Sequence, residues 1–234
     1  MTKPSVIIFD FDETLINVFQ DENWFKVLRK RIIEYYSKYV DTSVYLQEKY
    51  DVLDYEPYYE LIEKIHEIYP DTEADKINKS AFDIVESFEK EVLDTVSFFE
   101  DVASVIPALY SQGIKLGIAS NNGVEPIKYA LRNVCLDKYF SAVAGRTYPY
   151  HRIHEKPRAN YLYNAMNEIG IKDNDIIWYV GDRITDIQAS VSAGVIPISV
   201  ATGKISAEDL QSNGAERVFN SLTHLYEYLQ IKND

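Results

Sequence analysis

Four short stretches of this chain place oxygen- and nitrogen-bearing side chains where they could handle a phosphate or a metal ion. The first, Phe9-Asp10-Phe11-Asp12-Glu13-Thr14-Leu15, sets two carboxylates two residues apart at the end of an apolar run. On a regular strand both would face one side and repel each other. Such a pair calls for a shared proton or a cation, and magnesium, which prefers oxygen ligands, suits the place. In the second, Gly117-Ile118-Ala119-Ser120-Asn121-Asn122-Gly123, the Ser120 hydroxyl and Asn121 amide lead into the first turn of an expected helix, where the dipole favours an anion. In the third, Lys156 brings a positive charge, and Pro157 suits the first position of another helix. The fourth, Gly181-Asp182-Arg183-Ile184-Thr185-Asp186, has a glycine that permits a sharp turn, followed by two further acids. Each stretch alone has a plainer reading as a turn or helix cap. Together, Asp10, Asp12, Asp182 and Asp186 would gather four acids in a small volume, an arrangement that is strongly destabilising without a metal.

The elements needed to bring these stretches together are legible in the apolar pattern. Val6 to Phe11, Ile114 to Ala119, Ala142 to Ala144, Ile176 to Val180 and Ile196 to Val200 are near-continuously apolar, as strands buried on both faces are. Between them run helical spacings: Val102, Val105, Ile106 and Leu109; Ile127, Leu131 and Val134; Leu162, Ala165, Met166 and Ile169; Ile187 and Val191. Gly113, Gly170 and Gly194 follow three of these, at the place of a left-handed helix cap. Alternating strand and helix predict an α/β fold, a Rossmann-like parallel sheet with helices on both faces, and open sheets of that kind bind ligands beyond the carboxyl ends of their strands.

From about Ile16 to Ser97 the rhythm changes. Trp24, Leu28, Ile32, Tyr35 and Tyr39 fall on one helical face, as do Leu61, Ile65 and Ile68, and Phe82, Val85, Phe88 and Val92. The expectation is an all-helical insertion over 16–97, with 1–15 and 98–234 forming the core domain. Nine of the 19 tyrosines lie between Tyr35 and Tyr69; they either fill the insertion or line a substrate cleft. The tail after Leu222 reads as a closing amphipathic helix.

The chain has 234 residues, 46% hydrophobic, and a net charge of -13. A chain of this size buries roughly 70% of its unfolded surface without disulfides or a structural metal. Its single cysteine, Cys135, leaves no disulfide framework and no cysteine-based zinc site. The apolar run after Ser5 is too short for a signal-peptide core or a membrane span, so a cytoplasmic protein is expected. A pI near 4.8 argues against nucleic-acid polymers as partners, but not against a small anion, because the charge is uneven. Residues 16–97 carry 19 acids against ten bases, whereas 144–160 hold Arg146, Arg152, Lys156 and Arg158, with His151 and His154, against Glu155 alone. This basic stretch is either an ordinary solvated loop or a place where Arg146, Arg152 or His154 meets a carboxylate or second phosphate of a substrate. Arg183 is a further candidate, for bracing the neighbouring acids.

The D-x-D-x-T of Asp10, Asp12 and Thr14, then Ser120, Lys156 and the G-D-x-x-x-D of Asp182 and Asp186, resemble in order the four motifs of the haloacid dehalogenase superfamily of phosphohydrolases. The helical insertion resembles that family's C1-type cap, and the chain as a whole is most similar to the phosphoglycolate phosphatase-like branch. The resemblance implies that Asp10 attacks phosphorus and Asp12 acts as acid and base. It also implies that Asp10, the Asp12 backbone carbonyl, Asp182 and Asp186 serve a magnesium ion, with Asp186 acting through water or the lysine. Ser120, the Asn121 amide and Lys156 would hold the phosphoryl oxygens, while Thr14 orients the turn and supports phosphate binding. Glu13 stands where the commonest form of the motif has glycine, so it either takes a strained geometry or points into the approach to the site. The retained Asp12 speaks against a haloacid dehalogenase proper. The implied function is a magnesium-dependent phosphatase acting on a small phosphorylated metabolite, as monomer or homodimer. Alternatives are a phosphosugar mutase, for which 39–60 lacks the expected glycine, a nucleotidase, a pyrophosphatase, a phosphonate-cleaving enzyme using Lys26 or Lys30, and a non-catalytic binding protein.

Overall fold

The apolar run that opens the chain forms β1 (Val6–Phe9), all four residues of which are fully buried. The computed structural model describes residues 2–18, 24–46, 56–150 and 154–231. It continues through β2 (Ile16–Asn17), the helices α1 (Trp24–Tyr36), α2 (Glu56–Ile68) and α3 (Asp71–Leu93), and β3 (Ser97–Phe98). Strand and helix then alternate: α4 (Val102–Ser111), β4 (Lys115–Gly123), α5 (Val124–Asn133), β5 (Phe140–Arg146), α6 (Asn160–Ile169), β6 (Ile177–Gly181), α7 (Ile184–Ala193), β7 (Ile196–Val200), α8 (Ala207–Ser212), β8 (Arg217–Phe219) and α9 (Leu222–Ile231). Six strands form one sheet in the order β5-β4-β1-β6-β7-β8, and every pairing is parallel.

Both faces of this sheet are covered, which is why its strands read as continuous apolar runs. Ile7 and Phe9 pack with α4, α5 and α9 on one face, through Val102, Ile127 and Leu225 among others. Val6 and Ile8 pack on the other with Leu162 and Ala165 of α6 and Ala189 of α7. Gly170 and Gly194 cap α6 and α7 with φ of 70° and 71°, the left-handed geometry that glycine takes at little cost. Some expectations shift. Strands β4 and β5 run longer than their apolar runs, and β8 forms on short, partly exposed residues that carry little signal. Val134, Val191 and Ile68 face solvent, with 46%, 66% and 56% exposure, off the buried stripes of their segments.

The helices α1 to α3 have a hydrophobic cluster of their own, with Leu28, Ile32, Tyr36, Leu61, Ile65, Phe82, Val85 and Phe88 at its centre. Its described tyrosines are largely structural: the hydroxyls of Tyr36, Tyr35 and Tyr69 donate to Asn78 Oδ1, the Ile77 carbonyl and the Tyr39 carbonyl. The two passages between this segment and the sheet pair antiparallel as β2 and β3, Ile16 opposite Phe98 and Asn17 opposite Ser97. Among the described residues, no helix is long and apolar enough to cross a membrane.

Candidate active site

Strand β1 stops at Phe9, so side-chain alternation does not extend to Asp10 and Asp12. The Asp10 amide still donates to the Val180 carbonyl at 2.8 Å, which holds Asp10 at the sheet edge. Beyond it the chain curls, with the Phe11 carbonyl accepting from the amides of Leu15 and Ile16 at 2.9 and 3.2 Å. The two carboxylates therefore part company. Asp10 Oδ1 lies 2.7 Å from Lys156 Nζ, whereas Asp12 Oδ1 accepts from Asn122 Nδ2 at 2.7 Å. The expected gathering of four acids is corrected to three: Asp10, Asp182 and Asp186 offer oxygens within 4.8 Å of one another, and the Asp12 carboxylate is not among them.

Glu13 makes this curl possible. It adopts φ 55°, a left-handed conformation that costs a non-glycine residue roughly 1–2 kcal/mol. Its buried surroundings offset that cost. The Glu13 amide donates to the Ile16 carbonyl at 2.7 Å, and its own carbonyl accepts from the Thr202 hydroxyl. Its carboxylate accepts from the Val18 amide at 2.6 Å, and one hydrogen bond to a charged group contributes roughly 1.5–3 kcal/mol. Both expectations for this residue thus apply: it takes the strained geometry, and it also lines the approach to the site.

The three-acid cluster fits a divalent cation on its own chemistry. Asp182 Oδ1 is buried and has no hydrogen-bond partner among the described residues, and the Lys156 ammonium pairs with only two of the three carboxylates, at 2.6 Å from Asp186 and 2.7 Å from Asp10. Burial, with Asp186 and Asp10 close by, pushes the Asp182 carboxyl up to about 8. Burial would lower the Lys156 ammonium, but Asp10 and Asp186 hold it above its ordinary range. Asp186 is raised by burial against the pull of Lys156. Burial, then Asp10, pushes Asp12 up to about 7 against the Asn122 hydrogen bond, which leaves it poised near neutrality.

Two glycines make room for the acids. A Cβ on Gly181 would lie 2.4 Å from Asp186 Oδ2, so glycine there serves close approach, without the positive φ of a sharp turn. A Cβ on Gly203, in the loop after β7, would lie 2.0 Å from Asp182 Oδ2. Asp186 also caps α7 by accepting from the Arg183 amide at 2.9 Å.

Above the acids lies a cavity of about 220 Å³ lined by Asp10, Asp12, Glu13, Ser120, Asn121, Asn122, Arg146, Glu155, Lys156, Arg183 and Thr185, with Val18, Trp24 and Phe25 as its apolar part. Ser120 is carried on β4, which continues through it to Gly123; α5 begins only at Val124, so Ser120 is no helix cap. Its Oγ accepts from the Asn122 amide at 3.4 Å. Asn121 Oδ1 accepts from the Lys156 amide at 3.0 Å, tying the second and third stretches together. Pro157 does not open a helix either. The Arg158 amide closes a turn on the Glu155 carbonyl at 3.0 Å, and α6 starts at Asn160.

Other expectations change with the geometry. Thr14 is buried but does not line this cavity; it borders another, beside Asn17 and Thr202. Arg146 does reach the cavity, yet its guanidinium forms a buried pair with Glu89 of α3 at 2.5 Å. Arg183 Nε approaches Asp182 to 3.9 Å, which fits the bracing role. His151 and Arg152 lie outside the described residues, as do residues 47–55 of the stretch 39–60 expected to distinguish a mutase. Lys26 and Lys30 are exposed and do not line the cavity. None of the described tyrosines lines it; the aromatic wall is Trp24 and Phe25. Asn122, Glu89, Thr202 and Gly203 escaped sequence reasoning, and only the repeated amide of Asn121-Asn122 beside Ser120 carried a local signal for any of them.

The profile of the haloacid dehalogenase-like hydrolases matches residues 7–200. Among curated relatives, the phosphoglycolate phosphatase of Salmonella typhi is 26% identical over 179 residues, covering 73% of this chain and 68% of that protein. That of Escherichia coli K12 is 27% identical over 163 residues, covering 69% and 62%. The fold is shared with solved structures: a Had-superfamily hydrolase from Ehrlichia chaffeensis, with TM-score 0.59 and 19% identity over the whole of both chains, and a hydrolase from Pseudomonas syringae, with TM-score 0.60 and 16% identity over 97% and 98%. With that profile matched over residues 7–200, most of its length, the chain belongs to the haloacid dehalogenase-like hydrolases.

Proposed function

We propose that this hydrolase is a magnesium-dependent phosphatase that releases phosphate from a small phosphorylated metabolite through an aspartyl-phosphate on Asp10. The observation that carries the reading is the position of the Asp10 carboxylate. It lies at the floor of a small cavity between the Lys156 ammonium and the Asp182–Asp186 pair, 2.7 Å from the former, with the Ser120 segment alongside. In the first step an Asp10 oxygen bonds to phosphorus, the ester bond breaks, and Asp12 gives its proton to the leaving oxygen. In the second, Asp12 takes a proton from the attacking water, the Asp10–phosphorus bond breaks, and phosphate leaves. A carboxyl near 7 serves both steps. Asp10, Asp182 and Asp186, with the Asp12 carbonyl, would hold magnesium, which supplies charge neutralisation at the phosphoryl oxygens when bound. Ser120, the Asn121 amide and Lys156 orient those oxygens.

In this reading the core is 1–15 and 98–234 and the segment 16–97 is the cap. Trp24 and Phe25 of that segment face the leaving group, and water is excluded when the cap is seated. The phosphoglycolate phosphatases among the relatives support that branch. The exposed Lys26 and Lys30 leave the phosphonate-cleaving alternative without a cavity lysine from that helix. The partner is then a small metabolite rather than a nucleic-acid polymer or a membrane, met in the cytoplasm by a monomer or homodimer. Asp10→Asn should abolish magnesium-dependent release of phosphate from an aryl phosphate while circular dichroism stays unchanged; substantial remaining turnover would remove Asp10 as the nucleophile.

A further inference from the structure

Glu89 belongs to α3, far in sequence from the four motifs, yet its carboxylate is buried against the end of β4. Oε1 accepts from Arg146 Nη2 at 2.5 Å, and Oε2 accepts from the Gly123 amide at 3.2 Å. Arg146 ends β5, is 3% exposed, and donates from Nη1 to the Asn121 carbonyl at 3.1 Å. Asn121 in turn receives the Lys156 amide on its Oδ1 at 3.0 Å. A continuous series of hydrogen bonds therefore joins α3 to the backbone of Asn121 and Lys156, two of the three residues expected to hold a phosphoryl oxygen. The fit is close: a Cβ on Gly123 would lie 2.9 Å from Glu89 Oε2.

Stability alone does not explain this pair. Desolvation of a buried carboxylate and guanidinium offsets most of their attraction, and well-packed apolar residues of similar volume serve as well or better. What such a pair supplies is a defined position for each partner, because each leaves the other unsatisfied if it moves. We propose that Glu89 is a positioning residue for the phosphoryl-binding segment, acting through Arg146 and Gly123, so that the segment from Ser120 to Gly123 is held in place only when α3 is seated on β4 and β5. The inference rests on the phosphatase reading for what the segment binds. It also gives Arg146 a role other than that of cation for the substrate.

The test compares wild type, Glu89→Gln and the double variant Glu89→Leu with Arg146→Met, all as the full chain. The first readout is hydrogen exchange at the Asn122 and Lys156 amides, which Glu89 does not touch and which needs no activity. The second is kcat/KM on an aryl phosphate, with the inhibition constant of inorganic phosphate. Both variants should exchange at least about tenfold faster at these amides, and kcat/KM should fall by about 10- to 100-fold, as a displacement approaching 1 Å produces. The phosphate inhibition constant should rise alongside, and the double variant should recover the thermal midpoint without recovering kinetics. Recovery of exchange protection and phosphate binding together with the midpoint would overturn the proposal, since packing alone would then suffice. Faster exchange in a protein whose wild type hydrolyses no phosphate ester would keep the positioning role and sink the phosphatase reading; unchanged exchange in folded variants would sink the positioning role whatever the activity. If Glu89→Gln fails to fold, the double variant carries the same outcomes.

Discussion

Gly203→Ala tests the acid cluster without altering any charged group. The new Cβ would lie 2.0 Å from Asp182 Oδ2 and 2.9 Å from its Cγ, whereas ordinary contact begins near 3.4 Å. The Asp182 carboxylate must therefore retreat by more than 1 Å, or the loop must lift. Lifting is no escape, because neighbouring Thr202 holds the Glu13 carbonyl and with it the curl after Asp10. Overpacking of this kind costs about 1–3 kcal/mol, or a thermal midpoint lower by about 2 to 12 °C in a chain of this size. The effect on chemistry is larger. A misplacement of about 1 Å costs on the order of 100-fold in rate, close to 2.7 kcal/mol of barrier. The assay is kcat/KM on an aryl phosphate across a magnesium titration at a temperature where the variant is folded, and half-saturation should move to higher magnesium. A kcat/KM within twofold of wild type with the same half-saturation would show that Asp182 does not need its present position.

Two other consequences follow from the same geometry. Because the folded chain holds the Asp182 carboxyl at about 8 against an ordinary value of 3.8, it binds a proton that the unfolded chain has released, and stability should fall as pH rises across that interval. A cation replaces that proton, so magnesium should raise the thermal midpoint more at pH 8 than at pH 5.5, measured against chelator; equal increments would refute the cluster as the ion's site. Glu13→Gly relieves a left-handed residue, worth about 1–2 kcal/mol, but removes the 2.6 Å bond to the Val18 amide, worth roughly 1.5–3 kcal/mol. The variant should be slightly less stable in urea denaturation, and a clear gain in stability would show that the carboxylate contributes nothing.

The fold class and the chemical types at the site were readable because both are local. Buried parallel strands need unbroken apolar runs, as in Val6 to Phe9, and their helices end on glycines such as Gly170 and Gly194, so composition along a few residues reports the architecture. The direction of each functional side chain was not local. Asp10 and Asp12 diverge because the strand ends at Phe9, and the curl that parts them depends on Thr202, 189 residues further along. For Arg146 the sequence left open an ordinary solvated loop or a cation for the substrate, and neither foretold its buried pair with a glutamate 57 residues away. The tyrosine-rich composition left packing and a cleft lining both open, and only packing decides it: Tyr35, Tyr36 and Tyr69 hydrogen-bond within the helical segment. Periodicity states which face of an element is buried; which distant group a buried polar atom meets is decided only when the elements pack, because each such atom must then find a partner or carry the cost of having none.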